Sequence, residues 1–278
     1  VDNQAPGLNF SLGNFLGSSE LDINKMEIIV GANSAFYGPN AFNGVISMET
    51  KDPFFKTGLS AMVKGAERQQ FKGAIRWAQA IKNKDDNKFF AYKMNVEYFR
   101  ANDWVADNYD PVTDSEVGIN NPGGFDAVNI YGDEYQRGYD FSDQPLTAFP
   151  GLGAFSRTGY TESDLVDYNT QNFKANVGLH FRVNPAKKEQ SPEIAIGTNY
   201  GSGTTVYQGD NRFSLKGITF LQNTLEFSKR NKYFVRAYTT RTGAGKSYDP
   251  YFTALQLQER AKENVDWGRD YLDYWVNT

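Results

Sequence analysis

Few residues of this chain stand where reaction chemistry would need them. His180 is its only histidine, and no carboxylate stands at a fixed spacing that would build a triad or a metal site around it. Cysteine is absent, which removes both a disulfide framework and a thiolate metal site. Asp107, Asp110, Asp114 and Glu116 cluster. Their spacing is not that of an EF-hand loop and no Gly marks the turn, so a solvated acidic loop is expected and no metal. Thr242-Gly-Ala-Gly-Lys-Ser247 invites comparison with a phosphate loop. It fails on spacing, because Thr240 stands where the first Gly is required and Pro250 interrupts the helix that should follow. Net charge is −4 with dispersed basic residues, which argues against a nucleic-acid partner. No enzyme site and no cofactor is expected.

The charged residues that remain are set in strict alternation, the signature of strands. In Lys88–Arg100, Phe90, Tyr92, Met94, Val96 and Tyr98 share one face, while Ala91, Lys93, Asn95 and Glu97 share the other. In Asn172–Asn184, Phe173, Ala175, Val177, Leu179 and Phe181 oppose Asn172, Lys174, Asn176, His180 and Arg182. Rings sit toward the ends of both apolar faces and small or aliphatic residues in the middle. Phe90 to Tyr98 spans roughly 26 Å at about 3.3 Å per residue. A strand tilt near 40° shortens this to roughly 20 Å, close to the ~25 Å apolar band of outer-membrane barrels with aromatic girdles. A β-sandwich strand also alternates but has no reason to end in rings, so the pattern favours a membrane barrel. Lys93, Glu97, Lys174, His180 and Arg182 would then face the lumen, where they hydrate the interior or touch substrate.

Further strands are expected at Gly58–Ala66, Lys72–Ile81, Glu193–Gly201, Ile218–Ser228 and Lys232–Thr240, seven in all. Short polar turns at 83–87, 184–192 and 229–231 alternate with long connections at 101–171 and 201–217, the asymmetry of periplasmic turns and extracellular loops. The short connection at 67–71 breaks the rule. A helix is expected near 254–264. No run of about 18 apolar residues exists, yet a hydropathy scan averages out alternating strands. Aromatic content of 15% fits an aromatic-girdled all-β chain. Seven strands leave an open edge, and a barrel wide enough to hold a plug has about 22. The rest of such a barrel would have to lie beyond Thr278 or in other chains.

The most specific signal is Lys25 to Lys51. It combines Glu27, Gly31, Tyr37-Gly38, Asn40-Ala41, Gly44-Val45-Ile46 and Thr50-Lys51. This segment resembles the closing part of the plug in TonB-dependent outer-membrane transporters, and Tyr-Gly-Pro-Asn-Ala-Phe-Asn-Gly resembles the branch found in Bacteroidota. Gly159–Tyr168, Val206–Gly209 and Asn211–Phe213 also resemble that branch. One departure is Val30, where many members carry Arg, which puts an Arg-mediated ion pair from plug to barrel in doubt.

The resemblance implies an all-β fragment of a plugged transmembrane barrel. Residues 1–51 would be the C-terminal part of the plug, and residues 52–278 the first part of the barrel, with an extracellular loop over 101–171. It implies TonB-driven uptake across the outer membrane, contact with outer-membrane lipid, a TonB energy-coupling complex and a surface lipoprotein lid. The TonB box would lie upstream of Val1. Two alternatives stay open: a structural, non-transporting part of a larger outer-membrane assembly, and a secreted β-sandwich binding module. The substrate is not specified.

Overall fold

The computed structural model describes residues 15–31, 44–115, 117–133, 156–208 and 212–277. The chain is mostly β and falls into two compact units. The first comprises Val1–Asn102, Asn169–Thr204 and Lys216–Lys246; the second comprises Asp103–Tyr168, Thr205–Leu215 and Ser247–Thr278.

In the first unit β1 (Ile23–Val30) and β2 (Gly44–Thr50) form a two-stranded antiparallel sheet, with Ile28 opposite Ile46 and Val30 opposite Gly44. The strands β3 (Gly58–Ala66), β4 (Gln70–Lys82), β5 (Lys88–Asn102), β8 (Asn169–Arg182), β9 (Glu193–Gln208), β10 (Arg212–Lys229) and β11 (Tyr233–Gly243) form one antiparallel sheet. Each is hydrogen-bonded to its neighbours in that order. All seven expected strands are present. Connections therefore alternate between the two ends of the strands. Turns at 83–87, 183–192 and 230–232 leave one end; connections at 67–69, 103–168 and 209–211 leave the other.

The two faces of this sheet invert the usual rule that apolar side chains go inside. Met94 and Val96 are 44% and 48% exposed, whereas Asn95 and Glu97, which alternate with them, are each 1% exposed. The register lines the exposed residues into rows. Ile75, Val96 and Ala175 are cross-strand neighbours, as are Trp77, Met94 and Val177. Rings close the rows: Phe90 stacks on Phe181 at 4.6 Å, Trp77 meets Tyr92 edge-on at 5.2 Å, and Phe173 lies 6.2 Å from Tyr200. The ring-ended pattern read from two strands thus extends across neighbours.

Three expectations change. The sheet does not end at Gly201, because β9 runs to Gln208 and β10 starts at Arg212, so the connection expected at 201–217 shrinks to 209–211. Gly201 and Gly203, which fall in the connection expected at 201–217, are strand residues that leave room for another segment. The helix expected at 254–264 is α2 (Pro250–Ala261), capped by the Asp249 side chain, with Pro250 in its first turn where a missing N–H costs nothing. A second helix, α3 (Asn264–Asn277), follows it and was not anticipated. No helix among the described residues is long and apolar enough to cross a membrane.

The second unit has a structure of its own among the described residues. Its pairs β6 (Ile130–Tyr131) and β7 (Tyr160–Thr161) lead into the single turn α1 (Glu162–Leu165). Glu162 is fully buried and takes hydrogen bonds from the Tyr131 and Tyr168 hydroxyls at 2.5 and 2.8 Å and from Arg212 Nε at 3.0 Å. Burial pushes the Tyr168 phenol up to about 12 and raises Tyr131 as well, so both remain donors at ordinary pH. Glu162 and Tyr168, of the stretch Gly159–Tyr168, thus meet Arg212, which is distant in sequence. Removing the acceptor strands a cation and two hydroxyls. Glu162→Ala is therefore expected to cost the second unit about 3–5 kcal/mol. The cost would be read as faster proteolysis within 156–168 while the sheet stays protected; unchanged protection would contradict this role.

Candidate functional site

The polar face of the sheet is covered by residues 15–22. Ser19 caps a short 3-10 turn over Glu20–Asp22 by accepting from the Leu21 N–H. This turn holds two carboxylates at fixed positions above the strands. Asp22 is 2% exposed and bridges two strands: its Oδ1 accepts from Arg76 Nε of β4 at 2.9 Å and its Oδ2 from Lys93 Nζ of β5 at 2.7 Å. Glu20 is half exposed and pairs with Lys64 of β3 and Lys72 of β4 at 2.7 and 2.9 Å.

Glu97 answers from the sheet side. Its carboxylate accepts from the Ser19 hydroxyl and the Glu20 N–H, both at 3.0 Å, and lies 3.2 and 3.3 Å from Lys72 and Lys174. Asn172 donates to the Phe15 carbonyl, and Asn176 Oδ1 accepts from the Ser19 N–H at 3.4 Å. Close approach is possible because the strands carry small residues here. A Cβ at Gly201 would lie 2.5 Å from the Leu16 carbonyl oxygen, and one at Gly203 would run into the Phe15 ring. Ala74, Ala78 and Ala91 are buried on the same face.

The segment that leads into β3 adds a second set of contacts. Lys93 Nζ also donates to the Lys51 carbonyl and Arg76 Nη1 to the Lys56 carbonyl. Lys88 Nζ donates to the Phe54 carbonyl, and the Arg182 guanidinium stacks 3.9 Å from the Phe54 ring centre. Phe54 is completely buried. A cavity of about 650 Å³ opens nearby, bordered by Asp52, Lys56, Arg182, Glu193 and the turn at 228–234.

Each residue expected on the polar face is there, in differing surroundings. Lys93, Glu97 and Lys174 join the buried network. His180 pairs instead with Glu193 at 2.7 Å, across β8 and β9, and packs edge-on against Phe54. Of the motif between Lys25 and Lys51, Glu27 lies on the exposed hairpin beside Lys25. Gly31 has φ +95°, a conformation other residues rarely take, and a Cβ at Gly44 would sit 2.9 Å from the Ile29 carbonyl oxygen. Tyr37, Gly38 and Asn40 lie outside the described residues, as does Glu116. Among the described residues no group of acids and histidines is arranged to hold a metal.

Sequence reasoning missed Asp22, Glu20, Ser19 and Arg76. Their signal was present: a Ser-Glu-Leu-Asp cap, and a lone Arg on the polar face of Lys72–Ile81. Val30 is exposed on β1. Ion pairing between the N-terminal segment and the sheet exists, with acids on the segment and bases on the strands.

Comparison of the chain with protein-family models, with curated proteins and with solved structures found no match in any of the three.

Two outcomes follow for this site. Asp22→Ala leaves Arg76 and Lys93 buried without a counter-charge and is expected to cost about 3–5 kcal/mol, whereas Glu20→Ala at the solvated edge costs about 0–1 kcal/mol. A fluorophore at Gly17→Cys, followed as denaturant frees the segment, separates the two; equal costs would contradict the network. The second concerns pH. Hydrogen bonds from Lys64 and then Lys72 hold the Glu20 carboxyl at about 2, below its ordinary 4.5. A depressed carboxylate stabilises docking fully above about pH 4.5 and loses that contribution as pH falls toward 2. The wild type should thus lose its advantage over Glu20→Gln between those values. A difference that stays constant across the window would sink the assignment.

Proposed function

We propose that this chain is part of a TonB-dependent outer-membrane transporter, with residues 1–51 closing its plug and residues 52–278 beginning its barrel. One observation carries the reading: the sheet exposes an apolar, ring-bordered face and buries a charged one. In water an apolar surface of this extent is a liability. In a bilayer the same arrangement is required, because lipid takes the apolar side and the polar side faces the interior. Residues 15–22, seated on the polar side through ion pairs of Glu20 and Asp22, suit a plug held inside such a barrel. Among alternatives, a β-sandwich is the least favoured, since its buried face would be the apolar one.

Within this reading the function is energised uptake of a substrate across the outer membrane. The TonB energy-coupling complex would act on the plug, and a surface lipoprotein lid would close over the extracellular loops. A structural role in a larger outer-membrane assembly is the second reading. The buried Glu162 cluster favours keeping it, because structured elements around it suit docking as well as capture.

The readings separate by experiment. In the full-length protein, Val96→Arg at the middle of the apolar face is expected to cost about 2–4 kcal/mol of folding into lipid vesicles, and Phe90→Arg near its rim about 0–1 kcal/mol. Equal costs at both depths, or a chain that stays soluble without detergent, would exclude the membrane. Loss of substrate-dependent uptake on deleting the gene supports transport; undisturbed uptake with stable recovery in a large complex supports the structural role.

A further inference from the structure

The polar face of the sheet carries more positive charge than it neutralises by itself. Lys64, Lys72, Arg76, Lys93 and Lys174 form ion pairs there, and Glu97 is the sheet's own carboxylate in that network. Glu97 is shared between Lys72 and Lys174, which leaves Arg76 and Lys93 to Asp22 of the covering segment.

Further unpartnered polar groups lie on the same face. Arg76 is 2% exposed, and its Nε and Nη1 are used while Nη2 has no protein partner. Asn95, directly opposite Arg76 in the register, is 1% exposed, and neither its Nδ2 nor its Oδ1 has a protein partner. Lys93 stands two residues before Asn95 and so shares its face. Arg76 and Lys93 thus hold a single carboxylate that the sheet does not own, with the unpartnered Asn95 beside them on the same face.

We propose that Arg76, Lys93 and Asn95 form an anion-binding site on the transport path. Asp22 fills it while the segment is docked, and a carboxylate or phosphate of the cargo fills it when the segment withdraws. The proposal rests on the transporter reading and adds the class of cargo: a solute bearing an anionic oxo group. Withdrawal of Asp22 leaves two cations without their counter-charge, and an incoming anion removes that penalty. A planar guanidinium suits carboxylate and phosphate alike. Asn95 adds a donor and an acceptor for a hydroxyl on the same solute. A neutral glycan offers the cations nothing.

The test uses the full-length protein in lipid nanodiscs, with inorganic phosphate and citrate as probes and sorbitol as the neutral control. By titration calorimetry, Asp22→Asn should bind phosphate or citrate at least tenfold more tightly than the wild type, with sorbitol not bound by either. Adding Arg76→Met should abolish the gain. Preference for citrate over phosphate, or the reverse, tells which group is recognised. No anion binding by Asp22→Asn, or binding that survives Arg76→Met, overturns the proposal. A second measurement leaves Asp22 in place. Ser19→Cys with Asn176→Cys, in a chain that has no other cysteine, reports docking by disulfide formation. Citrate or phosphate should slow that cross-link at least threefold against chloride at equal ionic strength; equal rates count against the site. Failure to enter the nanodisc at all would instead refute the transporter reading, whichever anion is bound.

Discussion

The first unit depends on one bridge, in which a single buried carboxylate, Asp22, joins Arg76 of β4 to Lys93 of β5. Isolated charges cannot stay buried at low cost, so each must be matched within hydrogen-bonding reach. The strands cannot match their own cations, because Glu97 is taken by Lys72 and Lys174. The missing negative charge comes from a turn some fifty residues upstream in the chain of its partner Arg76. Docking that turn is therefore a condition for the sheet's interior, and not an ornament on it.

Packing follows from the same requirement. A turn carrying backbone and two acids must reach the strands closely enough for 2.7–3.0 Å bonds. Ala74, Ala78 and Ala91, with Gly201 and Gly203 on β9, supply the clearance. Larger residues there would hold the carboxylates away from their cations. With the polar side occupied, the apolar residues of every second position turn outward, and the register gathers them into continuous rows. The inverted face is the observation on which the proposed membrane placement of this sheet rests.

Much of the fold was legible from alternation. The strands at Lys88–Asn102 and Asn169–Arg182 follow from a strict period of two, and their ring-ended faces could be read before their neighbours were known. The connection expected at 201–217 was too long, since glycines kept for clearance, such as Gly201 and Gly203, weaken the strand pattern. Helix α3 was missed because Asn264–Asn277 mixes Tyr, Trp and Val with Asp and Gly, a weak helical signal on local preference. At the site, Lys93, Glu97 and Lys174 were found from their face. Asp22 and Arg76 were not, because neither has a sequence neighbour that reveals its partner.

The amino-acid order by itself determined the strands, their two faces and the polarity of each, because side-chain direction in a strand is set by a period of two and needs no distant contact. It also placed the glycine and acidic residues of Lys25–Lys51 in a recognisable spacing. Only the tertiary structure decided which face is covered, that Glu20 and Asp22 cover it, and that Glu162 and Arg212 close a body of their own. Those choices depend on charges from remote parts of the chain meeting at hydrogen-bond distance, and Coulombic pairing over such separations leaves no periodic trace in the sequence.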